Sequence, residues 1–241
     1  MLGDPFAFLV SCLFLIPAAV IAIPVHELGH AAAAHLMGDP TPRNRGFLRF
    51  NPRLFIETYG LLAVFLLRTG WGAPVPVNEY RLTGTGRKVA YALAGPAANL
   101  LVAVLFGVGV RVLAGMGYLP LTVSLLQGPM GYLATIVYAV FFLNLSFFAF
   151  NLLPIPGLDG WRVLEALFRH RNARFFFEAN SRRREIWMVC ALVIFVSSFL
   201  PLGINLLAVV MLPFYAPASF GILGQCAGYP GLNPCPLSGH F

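Results

Sequence analysis

Four stretches of the chain are apolar over more than 20 residues each, which is about the length that a helix needs to cross a lipid bilayer. They predict membrane-spanning helices over residues 5–37, 88–113, 130–152 and 186–213. Only 10% of the 241 residues are charged, whereas soluble domains contain about a quarter. The sequence therefore predicts an all-α polytopic membrane protein with the lipid bilayer as its solvent.

The segment between the first two apolar stretches has a different pattern. Residues 43–53 contain four arginines and alternate between polar and apolar side chains, as strands do. The apolar run at 61–67 is too short to cross a membrane. We therefore predict a short membrane-associated β region over residues 47–77. Such backbone is tolerated at membrane depth where protein covers it or where it lines a cavity.

Basic residues are concentrated in three loops, at 43–53, 81–88 and 162–184, whereas 114–129 and 214–241 contain no Lys or Arg. Loops that carry the excess of Lys and Arg face the cytoplasm. The pattern predicts a multi-pass protein of the cell membrane with both termini outside. The net charge of +7 follows from these loops and does not indicate a nucleic-acid partner.

The chain contains no internal repeat and no stretch typical of a separate soluble domain. We predict one compact domain over residues 1–213, followed by a tail rich in Gly and Pro over residues 214–241. Cys226 and Cys235 both lie in this tail and could pair in an oxidising compartment. The sequence leaves their pairing and the oligomeric state open.

Three ionisable residues, His26, Glu27 and His30, interrupt the first apolar stretch. Residues four apart on a helix share a face, so both imidazoles can bind one metal ion with the glutamate beside them. The motif is short and also occurs by chance in soluble helices. Inside a membrane, however, each ionisable group costs on the order of 2.5–3.5 kcal/mol, and a metal ion would offset that cost. The pattern therefore indicates a metal site.

Asp159 follows the third apolar stretch, within NLLPIPGLDG at 151–160. The prolines and glycines there favour a turn that can present a carboxylate on the side of the membrane where His26 and His30 lie. Asp-Gly before an apolar run is also typical of a helix start, which is the alternative interpretation. Two His and one carboxylate suit zinc and also iron, so the sequence leaves the identity of the ion open.

Four motifs make the chain resemble the site-2 proteases, a family of intramembrane zinc metalloproteases. They are HELGH at 26–30, GWGAPVPVN at 70–78, AGPAANL at 94–100 and NLLPIPGLDG at 151–160. The resemblance covers most of residues 5–170 and is closest to the small members without a PDZ or nucleotide-sensing domain. One departure is Trp161, at a position where many relatives have Gly.

The resemblance implies an intramembrane metalloprotease domain over residues 1–213, which cleaves membrane proteins that have a transmembrane segment. It implies Glu27 as the general base, Asn151 as a substrate contact and an active site on the cytoplasmic side. For Asn99, substrate binding and helix packing are both compatible with the sequence. The resemblance implies that Zn²⁺ is bound by His26, His30 and Asp159. Residues 47–77, as a strand region, are expected to pair with extended substrate.

Two functions of other classes are compatible with a metal site in a membrane. A zinc transporter would need ligands along a path, whereas the candidate ligands gather at one depth, and transport gives Glu27 no role. A catalytically inactive zinc-binding scaffold would not need to keep all three ligands and the base. The sequence therefore favours the protease.

Overall fold

A computed structural model describes residues 5–118, 128–199 and 206–224 of the chain, and helices predominate in all three ranges. A short 3₁₀ turn at Glu79–Arg81 precedes the fifth helix. The α-helices in the described residues are α1 (Pro5–Leu36), α2 (Thr41–Asn44), α3 (Pro52–Phe55), α4 (Thr58–Leu67), α5 (Thr85–Gly115), α6 (Gly128–Asn151), α7 (Asp159–Phe168), α8 (Ala173–Ser181), α9 (Arg183–Phe199) and α10 (Leu206–Leu223).

Four of the described helices are long and apolar enough to cross a membrane. They are Leu9–Leu36 within α1 and the whole of α5, α6 and α10. The helices α1, α5 and α6 begin and end within three residues of the first three predicted spans. The predicted multi-pass helical membrane architecture is therefore confirmed.

The helices α1, α5 and α6 make the most extensive contacts in the molecule. Small residues let their backbones approach closely, which is how membrane helices pack without a hydrophobic driving force. A Cβ added to Gly29 in α1 would lie 2.5 Å from the carbonyl oxygen of Ala94 in α5. Ala18 and Ala22 of α1 are fully buried in the same core. This close packing positions the polar residues of α1 and α5 against each other.

The predicted β region over residues 47–77 is wrong. The described structure contains no strand there, and an isolated antiparallel bridge between Ile56 and Gly72 is the nearest approach to one. The segment forms α3 and α4 instead, followed by an irregular stretch at 68–78. The apolar run that is too short to span is the helix α4, which is ten residues long.

Helix N-caps outweighed the alternating pattern in this segment. The Asn51 side chain accepts a hydrogen bond from the Arg53 amide, and Pro52 occupies the first helical position, where its missing N–H costs nothing. The Glu57 carboxylate accepts a hydrogen bond from the Gly60 amide at 2.6 Å and caps α4. The Asn51–Pro52 pair is visible in the sequence as a signal for a helix start, whereas Glu is not among the residues preferred at an N-cap.

The fourth predicted span, one helix over residues 186–213, is also wrong in its bounds. Within the described residues it is covered by α9 and α10, and residues 200–205 between them lie outside the described part of the chain. Because α10 reaches Leu223, it includes the first ten residues of the predicted tail. Cys226 and Cys235 lie outside the described residues.

The irregular stretch after α4 runs alongside the first span. The Ala73 amide donates a hydrogen bond to the Phe55 carbonyl at 2.7 Å. Gly72 lies so near α1 that an added Cβ would be 2.7 Å from a carboxylate oxygen of Glu27 and 3.0 Å from Ile23. This stretch therefore covers Glu27.

Candidate metal centre

Three buried side chains from two distant parts of the chain converge in the interior. His26 and His30 lie one turn apart on α1, and Asp159 is the first residue of α7. The Asp159 Oδ2 atom lies 3.1 Å from the Nε2 atom of each histidine, and the two Nε2 atoms are 3.2 Å apart. Each of the three residues is at most 4% exposed. The structure thus brings together the three predicted ligands.

Asn99 of α5 determines which nitrogen of His26 carries the proton. The Asn99 amide group donates hydrogen bonds to the Ala22 carbonyl at 3.0 Å and to Asn144 Oδ1 at 2.9 Å. Because a carbonyl can only accept, this fixes the orientation of the amide, and its Oδ1 atom must accept from His26 Nδ1 at 2.7 Å. The Nε2 atom of His26 therefore keeps its lone pair in the neutral imidazole.

His30 is oriented in the same way by the backbone of α5. Its Nδ1 atom donates a hydrogen bond to the Tyr91 carbonyl at 2.9 Å. Its Nε2 atom thus also presents a lone pair toward the centre. Metal-binding histidines are usually held by a hydrogen bond of this kind from the other ring nitrogen.

The centre consists of electron-pair donors with no hydrogen between them. Two lone pairs and a carboxylate oxygen at 3.1–3.2 Å repel each other unless a cation lies between them. Ligand atoms of a tetrahedral zinc ion lie about 3.3 Å apart, given zinc–ligand bonds of about 2.0 Å. The donor set fits a zinc ion in chemistry and in spacing.

The second oxygen of Asp159 has its own partner. Arg162, one turn further along α7, donates to Asp159 Oδ1 at 3.3 Å. Gly160 lets the start of α7 approach the end of α6, because a Cβ there would overlap the carbonyl of Leu152. The turn before α7 and this ion pair together point Asp159 Oδ2 at the histidines.

Gly95 of α5 lies against both histidines. A Cβ added at this position would overlap His30 Nε2 and would lie 2.8 Å from His26 Cε1. Gly95 was not predicted from the sequence to be part of the site. A signal was present, because Gly95 and Asn99 are four residues apart and so share the face of α5 that contacts α1.

Glu27 lies beside the three candidate ligands and lines a cavity of about 370 Å³ that opens next to them. The carboxylate is 7% exposed. The cavity walls come from α1, the stretch after α4, α5, the end of α6, the turn before α7, α7 and α9. Besides the ligands and Glu27, residues that line it include Trp71, Val75, Tyr91, Asn151, Arg183 and Trp187. The site can therefore hold a small segment of another molecule next to a carboxylate base.

The two asparagines predicted as substrate contacts lie in different places. Asn151, the last residue of α6, lines the cavity, and its amide group donates to the Phe147 carbonyl at 3.0 Å. Asn99 is fully buried and is not among the residues that line the cavity. Asn99 contacts His26 and is therefore a hydrogen-bond partner of a candidate ligand. The sequence had left substrate binding and helix packing open for this residue and had not predicted this role.

Trp161 joins α7 to α8. It is 6% exposed, packs its ring 5.0 Å from that of Phe176 and donates a hydrogen bond to Asn180 at 2.9 Å. The residue does not line the cavity, so the large side chain at this position leaves the entry beside Asp159 open. It attaches the helix that carries Asp159 to its neighbour instead.

Comparison with known proteins gives a consistent result. The sequence model of peptidase family M50 matches residues 14–198. The chain is 32% identical over 200 residues to "Putative zinc metalloprotease Rip2" of Mycobacterium tuberculosis, covering 80% of this chain and 71% of that protein. It is 32% identical over 159 residues to "Putative zinc metalloprotease YwhC" of Bacillus subtilis, covering 64% and 68% respectively. No solved structure matches it significantly.

Proposed function

The chain belongs to peptidase family M50, the site-2 protease family, and on this premise we propose that it is a zinc-dependent intramembrane endopeptidase. It hydrolyses peptide bonds within or near the transmembrane segments of membrane-protein substrates. The observation that carries the proposal is the convergence of His26, His30 and Asp159 beside Glu27, at the wall of a cavity inside a bundle of apolar helices.

Zinc is the ion that this proposal assigns to the three ligands. A bound zinc ion would polarise both a water molecule and the carbonyl of a peptide bond. Asn99 and the Tyr91 carbonyl keep the two Nε2 atoms unprotonated for that role. The relatives named as zinc metalloproteases support zinc over iron. Metal analysis of the purified protein distinguishes the two.

Glu27 is the general base of the proposed reaction. Its carboxylate accepts a proton from the attacking water, whose oxygen forms a bond to the peptide carbon. Glu27 then gives the proton to the nitrogen that leaves as the C–N bond breaks, so that a carboxyl and an amine are produced. The burial of Glu27 beside the ligands, covered by Gly72, favours this role because bulk water does not compete for the proton.

The bound segment must be extended, because a helix hides its peptide bonds in its own hydrogen bonds. The cavity is lined by apolar and aromatic side chains from several elements, which suits a segment of membrane protein. This supports substrates with a transmembrane segment that unwinds locally.

Orientation is a further part of the proposal. The active site faces the cytoplasmic side and both termini lie outside, as the distribution of Lys and Arg predicts. Single cysteines at exposed loop positions, labelled in sealed vesicles with a membrane-impermeant reagent, test this. A cysteine at Arg45 should be labelled from the cytoplasmic side, and labelling from the other side would contradict the proposal.

Metal content and cleavage are the decisive measurements. We expect one zinc per chain in the wild type and in Glu27→Gln, and little zinc in Asp159→Ala. Cleavage of a pool of synthetic single-span peptides, read by mass spectrometry, should be lost in both variants. Glu178→Gln is the matched control, since Glu178 is exposed on α8 and pairs with Arg174. Full cleavage by Glu27→Gln would refute the proposed base, and full zinc in Asp159→Ala would refute the third ligand.

A zinc transporter is the main competing function. Among the described residues, His26, His30 and Asp159 are the one group of three or more His, Cys, Asp or Glu that could hold a metal ion. A transport path would require more such groups along the membrane normal. Zinc uptake by vesicles that contain the protein, without cleavage of any peptide, would favour the transporter.

A further inference from the structure

Tyr91 contributes two different groups to the site. Its backbone carbonyl accepts the hydrogen bond from His30 Nδ1, and its side chain lines the cavity. The ring centroid of Tyr91 lies 5.1 Å from that of His30, with 43° between the ring planes. The phenol is therefore held directly beside a candidate metal ligand, on the first helical turns of α5.

The phenol lies in the charged part of the cavity. Arg162, Glu27 and Asp159 are all close enough to act on it electrostatically. Among the described residues that line the cavity, Tyr91 is the one that carries a hydroxyl group. A neutral donor placed there can approach a polarised carbonyl oxygen without adding a charge to the site.

The Tyr91 hydroxyl makes no hydrogen bond with any residue in the described part of the chain. Tyrosine hydroxyls in enclosed sites usually have a partner. The indole N–H groups of the two tryptophans at the cavity are already used, since Trp71 donates to Glu57 and Trp187 donates to the Pro156 carbonyl. The phenolic O–H is thus a donor that remains available to a molecule in the cavity.

Two other donors at the cavity already have a partner in the protein. The Arg162 guanidinium donates to Asp159, and the amide of Asn151 donates to the Phe147 carbonyl. Moving Arg162 toward a substrate would weaken its hold on a candidate ligand. Tyr91 can turn its hydroxyl toward a substrate without giving up any contact that the structure records.

We propose that the Tyr91 hydroxyl donates a hydrogen bond to the carbonyl oxygen of the peptide bond that is cleaved. The proposal rests on the proposed peptidase function. The hydrogen bond becomes stronger as the oxygen gains negative charge during attack by water, so it stabilises the transition state more than the bound substrate. Tyr91 is then a catalytic residue through its side chain and a positioning residue through its backbone.

The substitution Tyr91→Phe separates these two roles, because it removes the hydroxyl and leaves the carbonyl that holds His30. We expect bound zinc per chain and Tm to equal those of the wild type. The kcat for a cleaved single-span peptide should fall about 10²-fold, as for the loss of one oxyanion donor, with KM nearly unchanged. Binding of a phosphinic peptide, whose tetrahedral group resembles the transition state, should weaken by a similar factor.

Tyr80→Phe is the matched control, since Tyr80 is 92% exposed and does not line the cavity. It should match the wild type in bound zinc, Tm, kcat, KM and binding of the phosphinic peptide. An unchanged kcat in Tyr91→Phe would overturn the proposal, and so would a rise in KM alone. Loss of zinc or a lower Tm in that variant would show that Tyr91 acts through the structure around His30, which also overturns it.

The two proposals can fail separately. If the wild type cleaves no peptide, the peptidase function fails, yet the phosphinic peptide still measures the contact with Tyr91. If Tyr91→Phe then binds this probe more weakly than Tyr80→Phe does, the proposed hydrogen bond from Tyr91 is supported. Equal binding by the two variants would refute it. If the wild type cleaves and the two variants cleave equally well, only the role of Tyr91 fails.

Discussion

Gly95 shows how a residue without a side chain can shape a metal site. The position where its Cβ would lie is already occupied by the imidazole of His30. A larger residue must therefore push the histidines away from Asp159 or push α5 away from α1. Neither movement is easy, because both helices are closely packed in the core of the molecule.

We predict that Gly95→Ala weakens zinc binding by about 5- to 150-fold, the equivalent of the 1–3 kcal/mol that overpacking costs. Competition with a fluorescent zinc chelator measures the affinity. Gly115→Ala is the matched control in the same helix, since nothing lies within 4 Å of a Cβ added there. Equal affinities in the two variants would contradict the placement of Gly95 against the ligands.

Asn99 acts on the centre through hydrogen bonds. It accepts the proton of His26 Nδ1 while Asn144 and the Ala22 carbonyl hold its own amide in place. Without Asn99 the imidazole can rotate or can place its proton on the nitrogen that faces the metal. Partners of this kind are typically worth 10- to 100-fold in metal affinity.

We therefore predict that Asn99→Ala lowers zinc affinity by about 10- to 100-fold, with peptide cleavage restored at high zinc. Isothermal titration of the metal-free protein gives the affinity. The exposed Asn44 on α2 provides the control substitution Asn44→Ala. If Asn99→Ala binds zinc as the wild type does and its KM for peptide rises, Asn99 is a substrate contact. Substrate binding was one of the two roles that the sequence left open for this residue.

At the scale of elements, Asp39 joins the end of α1 to the stretch that covers Glu27. Its side chain is fully buried outside the span, where Oδ1 accepts from the amide and hydroxyl of Thr41 and Oδ2 accepts from the Asn78 amide at 2.6 Å. Burial acts to raise the pKa of Asp39, but the hydrogen bonds from Thr41 and Asn78 outweigh it, so its pKa lies below 3.8. The charged carboxylate therefore stabilises the folded state.

The sign of the pH dependence follows from that shift. Because the pKa of Asp39 is lower in the folded state, its stabilising effect is complete above the ordinary pKa of 3.8 and is lost as the pH falls below it. We predict that Asp39→Asn lowers the free energy of unfolding at pH 7 by about 2 kcal/mol, the value of hydrogen bonds to a charged group. Its free energy of unfolding should also fall less than that of the wild type between about pH 5 and pH 3.

Denaturant titration in detergent at each pH measures both effects. Glu79→Gln is the control, since Glu79 is exposed on the neighbouring 3₁₀ turn. A variant as stable as the wild type at pH 7, with the same pH dependence, would show that Asp39 does not hold the two elements together.

The elements that were predicted correctly are those with a long apolar stretch in the sequence. The spans α1, α5 and α6 follow from apolar stretches of more than 20 residues, which have one stable form in lipid. The segment before α4 was wrong because short alternating runs are ambiguous, and its capping residues Asn51 and Glu57 were not weighed against the alternation. The fourth predicted span ends at residue 213, whereas α10 continues to Leu223, because hydropathy alone does not determine where a helix ends.

The candidate metal ligands could be predicted from the sequence because each is a single ionisable residue with a recognisable chemistry. His26, His30 and Asp159 are ionisable residues near or within apolar stretches, and few other interpretations explain such residues. The contacts of Asn99 and Gly95 with the histidines were not predicted, because the four-residue spacing shows only that they share a face of α5 and not that this face is turned toward α1. The base Glu27 and the substrate contact Asn151 remain predictions until they are tested by substitution.

At the scale of the whole molecule, the candidate metal centre connects parts of the chain that are far apart in sequence. His30 and Asp159 are separated by 129 positions and belong to α1 and α7. Asp159 is attached to the rest through the end of α6 and through the contact of α7 with α5. An ion bound by all three ligands is therefore a cross-link among the helices that form the core.

A ligand that binds only the folded state stabilises it by an amount that grows with its concentration over Kd, about 4 kcal/mol at a thousandfold excess. We predict that 1,10-phenanthroline, which chelates zinc, lowers the Tm of the wild type and of Glu27→Gln in detergent. Asp159→Ala should already have the lower Tm and should not respond. The non-chelating 1,7-phenanthroline should change none of the three. If the chelator lowers the Tm of Asp159→Ala, the stabilising ion lies elsewhere. If the chelator leaves the Tm of the wild type unchanged, the core packs fully without the metal.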